Sequence, residues 1–227
     1  MTIISATTTL LSRADGSAQV TSSDGTTLIA SVSGPMEVRP REEQPLRAYL
    51  EVLVRPVVGV AGTRERLLES QLVSCLTPII RLESYPRTCI QVNIQLLTHS
   101  RPIKTSRSSP PPPTILSTAL NASILALIDA STALRTTVAA TDITINKGRH
   151  TVVVDVFSGQ LVFVDSEGEF THEELEEALE RGKKEGMVRV DDGGDVMVVD
   201  EGGGVGEEIR RVVEEKVQRD LRWKDGK

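Results

Sequence analysis

An α/β (α+β) fold is predicted, with mixed sheets packed on a buried central helix and further helices at the C-terminal end. Three observations carry it. Residues 116–134, LSTALNASILALIDASTAL, set Leu116, Leu120, Ile124, Leu127, Ile128 and Leu134 among alanines, so the helix is apolar over most of its circumference. Such a helix is buried, and its small residues admit neighbouring backbone closely, as a covering sheet requires. Runs of period two occur before and after it, and beyond residue 170 helical spacing returns twice.

The elements follow in order. After a short leader, residues 13–17, RADGS, read as a turn, with Asp15 bonding its own downstream backbone and Gly16 supplying a left-handed conformation. Residues 17–22 and 26–33 are strands joined by Ser23-Asp24-Gly25, a hairpin signal, and Gly34-Pro35 ends the second. Residues 35–45 are charged and bounded by proline, hence a loop. Residues 49–56 alternate as a third strand. Thr63 is the N-cap of an amphipathic helix carrying Leu68, Leu72, Cys75, Leu76, Ile79 and Ile80, which ends before Pro86. Residues 88–97, TCIQVNIQLL, form a strand whose polar set is uncharged, which suits a partly covered second face.

Residues 101–114 hold four successive prolines and can be neither helix nor central strand, so the buried helix is entered from a Pro-rich loop. Residues 136–145, 151–157 and 160–165 are strand-like, with turns at Gly148 and Gly159. Thr171 and Glu174 have capping-box spacing and open a helix whose buried edge is Leu175 and Leu179. Residues 191–206 are an acidic, Gly-rich loop by composition, with a hairpin around 196–199 as the alternative. Residues 207–223 close the chain as a helix with Ile209, Val213, Val217 and Leu221 on one face. The whole, 1–227, reads as a single domain.

Composition narrows the function. With 39% apolar but only 3% aromatic residues, the core is built from Val, Leu, Ile and Ala. A net charge of −6 opposes nucleic-acid binding over the whole surface. The charge is uneven, however: residues 1–114 carry 12 Lys and Arg against 9 Asp and Glu, whereas residues 115–227 carry 14 against 23. A polyanion meets the first half. Cys75 and Cys89, without CxxC spacing, read as buried free thiols of an intracellular protein rather than a disulfide or metal pair. No run reaches the ~18 apolar residues of a membrane span, and no signal-like segment opens the chain, so a soluble protein is expected. His99, His150 and His172 lack partners in sequence that would make a metal site, and no metal or cofactor is expected.

Six short stretches, in this order, resemble the RNase PH family, and within it the RNase PH-type ring subunits of the eukaryotic RNA exosome. They are RADGSA at 13–18, VSGP at 32–35, VRP at 54–56, GVAGTRE at 59–65, YPRT at 85–88, and Asn121-Ala122 through Leu127-Ile128-Asp129-Ala130. The likeness is dense over 13–100 and 115–145 and thin afterwards. It implies an RNase PH-type fold. It also implies other RNase PH-like subunits in a hexameric ring, RNA-binding cap subunits, an associated exoribonuclease and single-stranded RNA as partners, and a nuclear, nucleolar and cytoplasmic location.

Active members of that family cleave RNA from its 3′ end with inorganic phosphate. The chemistry needs a Gly/Ser/Arg turn at the N-terminus of the central helix to hold phosphate, and a nearby pair of carboxylates. Here prolines 110–113 stand before the helix and offer no amide hydrogens, while the carboxylate loop aligns with Asn146-Lys147-Gly148-Arg149 or, alternatively, with the single Asp155. No catalytic residue is therefore assigned, and a non-catalytic ring subunit is expected; the alternative is a phosphate-dependent 3′-to-5′ exoribonuclease with a degenerate site. Asp155 reads either as a relic acid or as a turn residue. Arg39, Arg41 and Arg64 match positions from which such rings reach toward RNA, or are solvated surface arginines or cross-subunit ion pairs.

Overall fold

Two sheets sandwich the helix that the sequence marks as central. The computed structural model describes residues 3–98, 115–188 and 204–225. The first sheet has strands β1 (Ile3–Thr8), β2 (Gly16–Ser22), β3 (Thr27–Glu37), β4 (Tyr49–Arg55) and β5 (Thr88–Thr98), in the order β1-β2-β3-β5-β4. Only β4 and β5 are parallel, and helix α1 (Thr63–Ile79) makes the crossover between them. After α2 (Leu116–Asp129) come β6 (Val138–Ile145), β7 (Lys147–Asp155) and β8 (Leu161–Glu169), an antiparallel sheet in sequential order. Helices α3 (His172–Gly186) and α4 (Val205–Leu221) complete the chain.

The layers follow from which faces are apolar. Ala18, Val20, Leu28, Ala30, Val32, Val92 and Ile94 alternate along β2, β3 and β5 toward α1 and α2, and all are buried. Twelve of the fourteen residues of α2 are buried, because β6 and β7 cover its other side. Helix α3 lies on the far face of that second sheet. Its buried stripe is not Leu175 and Leu179, which stay half-exposed, but Ala178, Gly182 and Gly186. A Cβ on Gly182 would stand 2.7 Å from Val152, so the small residues bring the helix down onto β-branched strand positions.

Several boundaries differ from the expectation, each for a local reason. The leader contains β1, a Ser/Thr-rich edge strand held by pairing with β2 rather than by an apolar pattern. Gly34-Pro35 does not end β3; the strand passes a bulge between Ser33 and Met36 and continues to Glu37. Gly62, not Thr63, is the N-cap of α1, its amide taken by the Glu65 carboxylate at 2.7 Å. That helix stops at Ile79, well before Pro86, because the following backbone turns to pair with the segment after α2: Arg81 donates to Ala133, Arg135 to Ile79, and Ile80 bridges Leu134.

Helix α2 stops at Asp129 rather than 134, with Ser131 at φ 54° turning the chain away. Asn146, at φ 49°, alone makes the β6–β7 turn, so Gly148 lies inside the ladder opposite Gly168. The Thr171–Glu174 capping box forms as read. Val205 and Gly206 are the buried start of α4 rather than the end of a loop, and its buried positions are Val205, Ile209 and Val212, with Val217 and Leu221 largely exposed. The Pro-rich stretch 101–114 and residues 191–203 of the acidic stretch lie outside the described residues.

The RADGS segment serves the central helix. Asp15 accepts from the amide of Gly34 at 2.8 Å, not from its own downstream backbone. Gly16 is a strand residue without a left-handed φ; a Cβ there would lie 2.3 Å from the Ala126 carbonyl oxygen and 2.3 Å from the Ala130 amide. The amide of Ser17 then donates to Asp129 at 2.9 Å, Thr9 donates to the same carboxylate at 2.8 Å, and Lys216 of α4 reaches it at 3.4 Å.

Gly16→Ala is expected to lower the melting temperature by about 5–10 °C, the size of a core overpacking of a few kcal/mol, whereas Ala14→Gly at the exposed-loop side leaves it within about 3 °C. A calorimetric scan of both variants decides. A second expectation concerns His150, fully buried, with Nδ1 2.8 Å from Ser166 Oγ and its ring edge-on to Phe170. Burial holds its imidazole below the ordinary range, against a weaker upward pull from Glu174. The unfolded chain takes up this proton first, so the contribution is complete above pH ~6.5 and is lost as pH falls below it. Between pH 7 and 5, wild type should lose more stability than His150→Asn, by up to about 1.4 kcal/mol per unit; parallel denaturant curves would reveal the difference.

Candidate functional site

The first turn of α2 is the place where the family resemblance locates phosphate. Leu116, Ser117 and Thr118 present amides at the positive end of the helix dipole, with no acidic residue in the turn and no side-chain cap from Ile115. Asn121, one turn further, locks the helix to β6 by donating to the Ala140 carbonyl at 2.9 Å and accepting its amide at 2.8 Å. Two residues along β6 this register brings Asp142 to the helix start. Ser117 Oγ donates to one of its oxygens at 2.7 Å, and Thr151 Oγ1, its cross-strand partner on β7, donates to the other at 2.6 Å.

Asp142 is 6% exposed and Arg149, on the same face of β7, is 9% exposed. A buried carboxylate therefore already sits at the electropositive helix end, held by two hydroxyl donors. The sequence reading missed this residue. Its signal was an acid in the middle of VAATDITI whose period-two parity with Ala140 points it inward.

The other acidic candidates are elsewhere. The β6–β7 turn contains Asn146 and Lys147, which engage Glu174 and Glu169 respectively. Asp155 is four residues past Thr151, about 13 Å along the strand. Its carboxylate accepts the amides of Phe157 and Ser158 at 2.9 and 3.3 Å and the Ser158 hydroxyl at 2.8 Å, the pattern of a turn residue. Among the described residues no cluster of His, Cys, Asp and Glu has the makings of a metal site. His172 is exposed beside Glu176, and His99 lies outside the described residues. Cys75 and Cys89 are buried free thiols; burial pushes Cys75 up to about 12 and raises Cys89 as well, so neither supplies a thiolate at neutral pH. No described helix is long and apolar enough to cross a membrane.

The three arginines do not form one patch. Arg39 and Arg41 lie in the connection from β3 to β4, at the end of the sheet where Tyr49 pairs with Cys89. Arg64 is in the first turn of α1, beyond the opposite end of β4, about 20 Å away along the strand. All three are exposed and none forms an ion pair with a described residue. Arg64 has exposed Arg55 and Arg66 for company in sequence, beside a loop with Val58 and Val60 almost fully exposed.

With this geometry in view, comparison with known proteins is direct. Residues 3–133 match the family described as RNase PH, 3′ exoribonuclease family, domain 1. The exosome complex component RRP46 of Saccharomyces cerevisiae is 34% identical over 198 residues, which cover 77% of this chain and 86% of that protein. The exosome complex component rrp46 of Schizosaccharomyces pombe is 37% identical over 126 residues, 56% of this chain and 50% of that one. The crystal structure of rice (Oryza sativa) Rrp46 superposes with a TM-score of 0.70 at 22% identity, covering 94% of this chain and 93% of the rice chain. An apolar helix enclosed by two sheets, entered where phosphate would sit, thus has its counterpart in sequence and in fold: the chain belongs to the RNase PH family.

Proposed function

We propose that the chain is a non-catalytic ring subunit of an RNA exosome, supporting 3′-to-5′ RNA processing and degradation by lining the RNA channel and binding neighbouring subunits. Its partners on this reading are other RNase PH-like subunits in a hexameric ring, RNA-binding cap subunits, an associated exoribonuclease and single-stranded RNA. Its place is the nucleus and nucleolus, and also the cytoplasm. The names of the yeast relatives support the assembly. The observation that carries the absence of catalysis is Asp142: an incoming phosphate would meet a buried carboxylate at the start of α2, and like charges at such a distance repel strongly away from bulk water. A proton-transfer pair is also wanting among the described acids nearby, since Asp155 is committed to its own turn.

RNA on this reading is met by cations of the more basic first half. Arg39 and Arg41 at one end of the sheet and Arg64 at the other offer two separated phosphate contacts to an extended strand. Such contacts are insensitive to base identity and are screened by salt.

Two measurements test the reading. Purified chain incubated with oligo-RNA and phosphate is expected to release no nucleoside diphosphate above the blank; a phosphate-dependent rate that vanishes in Asp155→Asn would establish catalysis instead. In an assembled ring, Arg64→Glu is expected to leave assembly intact and weaken RNA binding roughly fivefold. The log–log salt slope should become shallower by about 0.7 for one lost phosphate contact. Arg211→Glu on α4, where Arg211 is tied to Glu208 and Glu215, should change little. Failure of Arg64→Glu to assemble, with normal RNA affinity in any complex that forms, would make Arg64 an interface residue.

A further inference from the structure

The last turns of α4 and the short 3-10 turn that follows, Arg222–Asp225, differ in charge from the helix before them. Residues 205–215 carry two arginines against four glutamates, whereas residues 216–227 carry five Lys and Arg against two Asp. The earlier arginines are tied, Arg210 to Glu214 and Arg211 to Glu208 and Glu215. Lys216 is held by Asp129 and takes up the one acid of the last turns, Asp220, at 3.4 Å. Arg219 and Arg222 are exposed and form no ion pair with a described residue.

The only tryptophan of the chain stands among these cations. Trp223 is 74% exposed, the end of a run of exposed apolar residues with Val217 and Leu221. The Lys224 ammonium lies over its ring, 5.5 Å from the centroid. Cations at a helix C-terminus are accounted for by the helix dipole, but an indole left in water is not. The base of this segment is fixed, because the carboxylate that holds Lys216 also receives Thr9 and the Ser17 amide.

An open aromatic ring flanked by unpaired cations is the arrangement that takes up a single strand of nucleic acid, with phosphates on the cations and a base on the ring. An acidic peptide would satisfy the cations and leave the ring in water. We propose that the end of α4 is a single-stranded RNA contact, in which a base stacks on Trp223 while Arg219 and Arg222 hold neighbouring phosphates. The inference rests on the reading that this chain meets RNA, and adds to it a contact in the acidic half of the sequence, apart from Arg39, Arg41 and Arg64.

Because there is one tryptophan, the emission of the intact chain reports on this ring alone. Titration with a short oligouridylate at low salt is expected to quench it, whereas inorganic polyphosphate, a polyanion without bases, leaves it unchanged. By anisotropy of labelled RNA, Trp223→Ala is expected to weaken binding roughly tenfold, and Trp223→Phe to restore most of the loss. Arg222→Glu should make the log–log salt slope shallower by about 0.7. These side chains are exposed, so all three variants should keep the wild-type circular dichroism. RNA binding without quenching, or equal affinity in Trp223→Ala, overturns the proposal. So does equal quenching by polyphosphate, or a response to polyglutamate or phosphatidylserine vesicles that RNA does not produce. In an assembled ring, RNA affinity lowered by Arg64→Glu but not by Trp223→Ala leaves the functional reading in place and removes this site alone. A ring that binds no RNA removes both.

Discussion

The enclosure of α2 is the constraint on which the rest of the structure depends. A helix apolar around its circumference is stable only when water is excluded on every side, and here that requires a sheet above and a sheet below. Enclosure leaves the polar groups of the helix with no solvent to bond. The fold answers at three points along its length. Ser117 meets Asp142 at the start, Asn121 makes paired hydrogen bonds to the Ala140 backbone in the middle, and Asp129 at the end collects Thr9, the Ser17 amide and Lys216. The first two contacts tie the helix to β6, and the third ties it to β2, to α4 and to the connection after β1, so these elements are registered against one axis. Carbonyls at a helix C-terminus disfavour an acid such as Asp129, and the Lys216 ammonium, bonded both to its carboxylate and to its carbonyl, offsets this.

The same enclosure shapes the chemistry. An electropositive helix start buried between two sheets must be satisfied by an anion, by solvent or by a carboxylate of the chain. A phosphorolytic enzyme leaves that place for phosphate. This chain has Asp142 there, held by two hydroxyls at the helix start.

The legible parts of the fold were those written as periodicity or as caps. The central helix, the α1 stripe, the alternation of β4 and β5 and the Thr171–Glu174 box were all visible, because each depends on residues near one another in sequence. What escaped notice depends on distant partners. β1 has no apolar pattern and exists because β2 offers it an edge. Gly16 looked like a turn glycine, yet its reason is the backbone of α2 more than a hundred residues away. The stripe of Ala178, Gly182 and Gly186 looked weaker than Leu175 and Leu179 until the strand beneath it was known to carry Val152 and Val154. At the site, the absence of family acids near Asn146 could be read directly, whereas Asp142 could not, since its meaning lies in which helix end the β6 register brings it to.

Charge distribution ties these features together. The chain is acidic, and half of its acids lie on the outer helices α3 and α4 and in the sequence between them, while the outward side of β2, β3 and β5 is uncharged and exposed arginines stand at the ends of that sheet. Placing neutrality on the strands and cations in the connections uses a property of the fold itself. Strand side chains face one flat surface in a fixed register, whereas long arginines in loops and at a helix start can reach beyond it. The strand face is flat and fixed in register, whereas the connections are adaptable. Because the two lie on different parts of the same sheet, a change in one need not disturb the other.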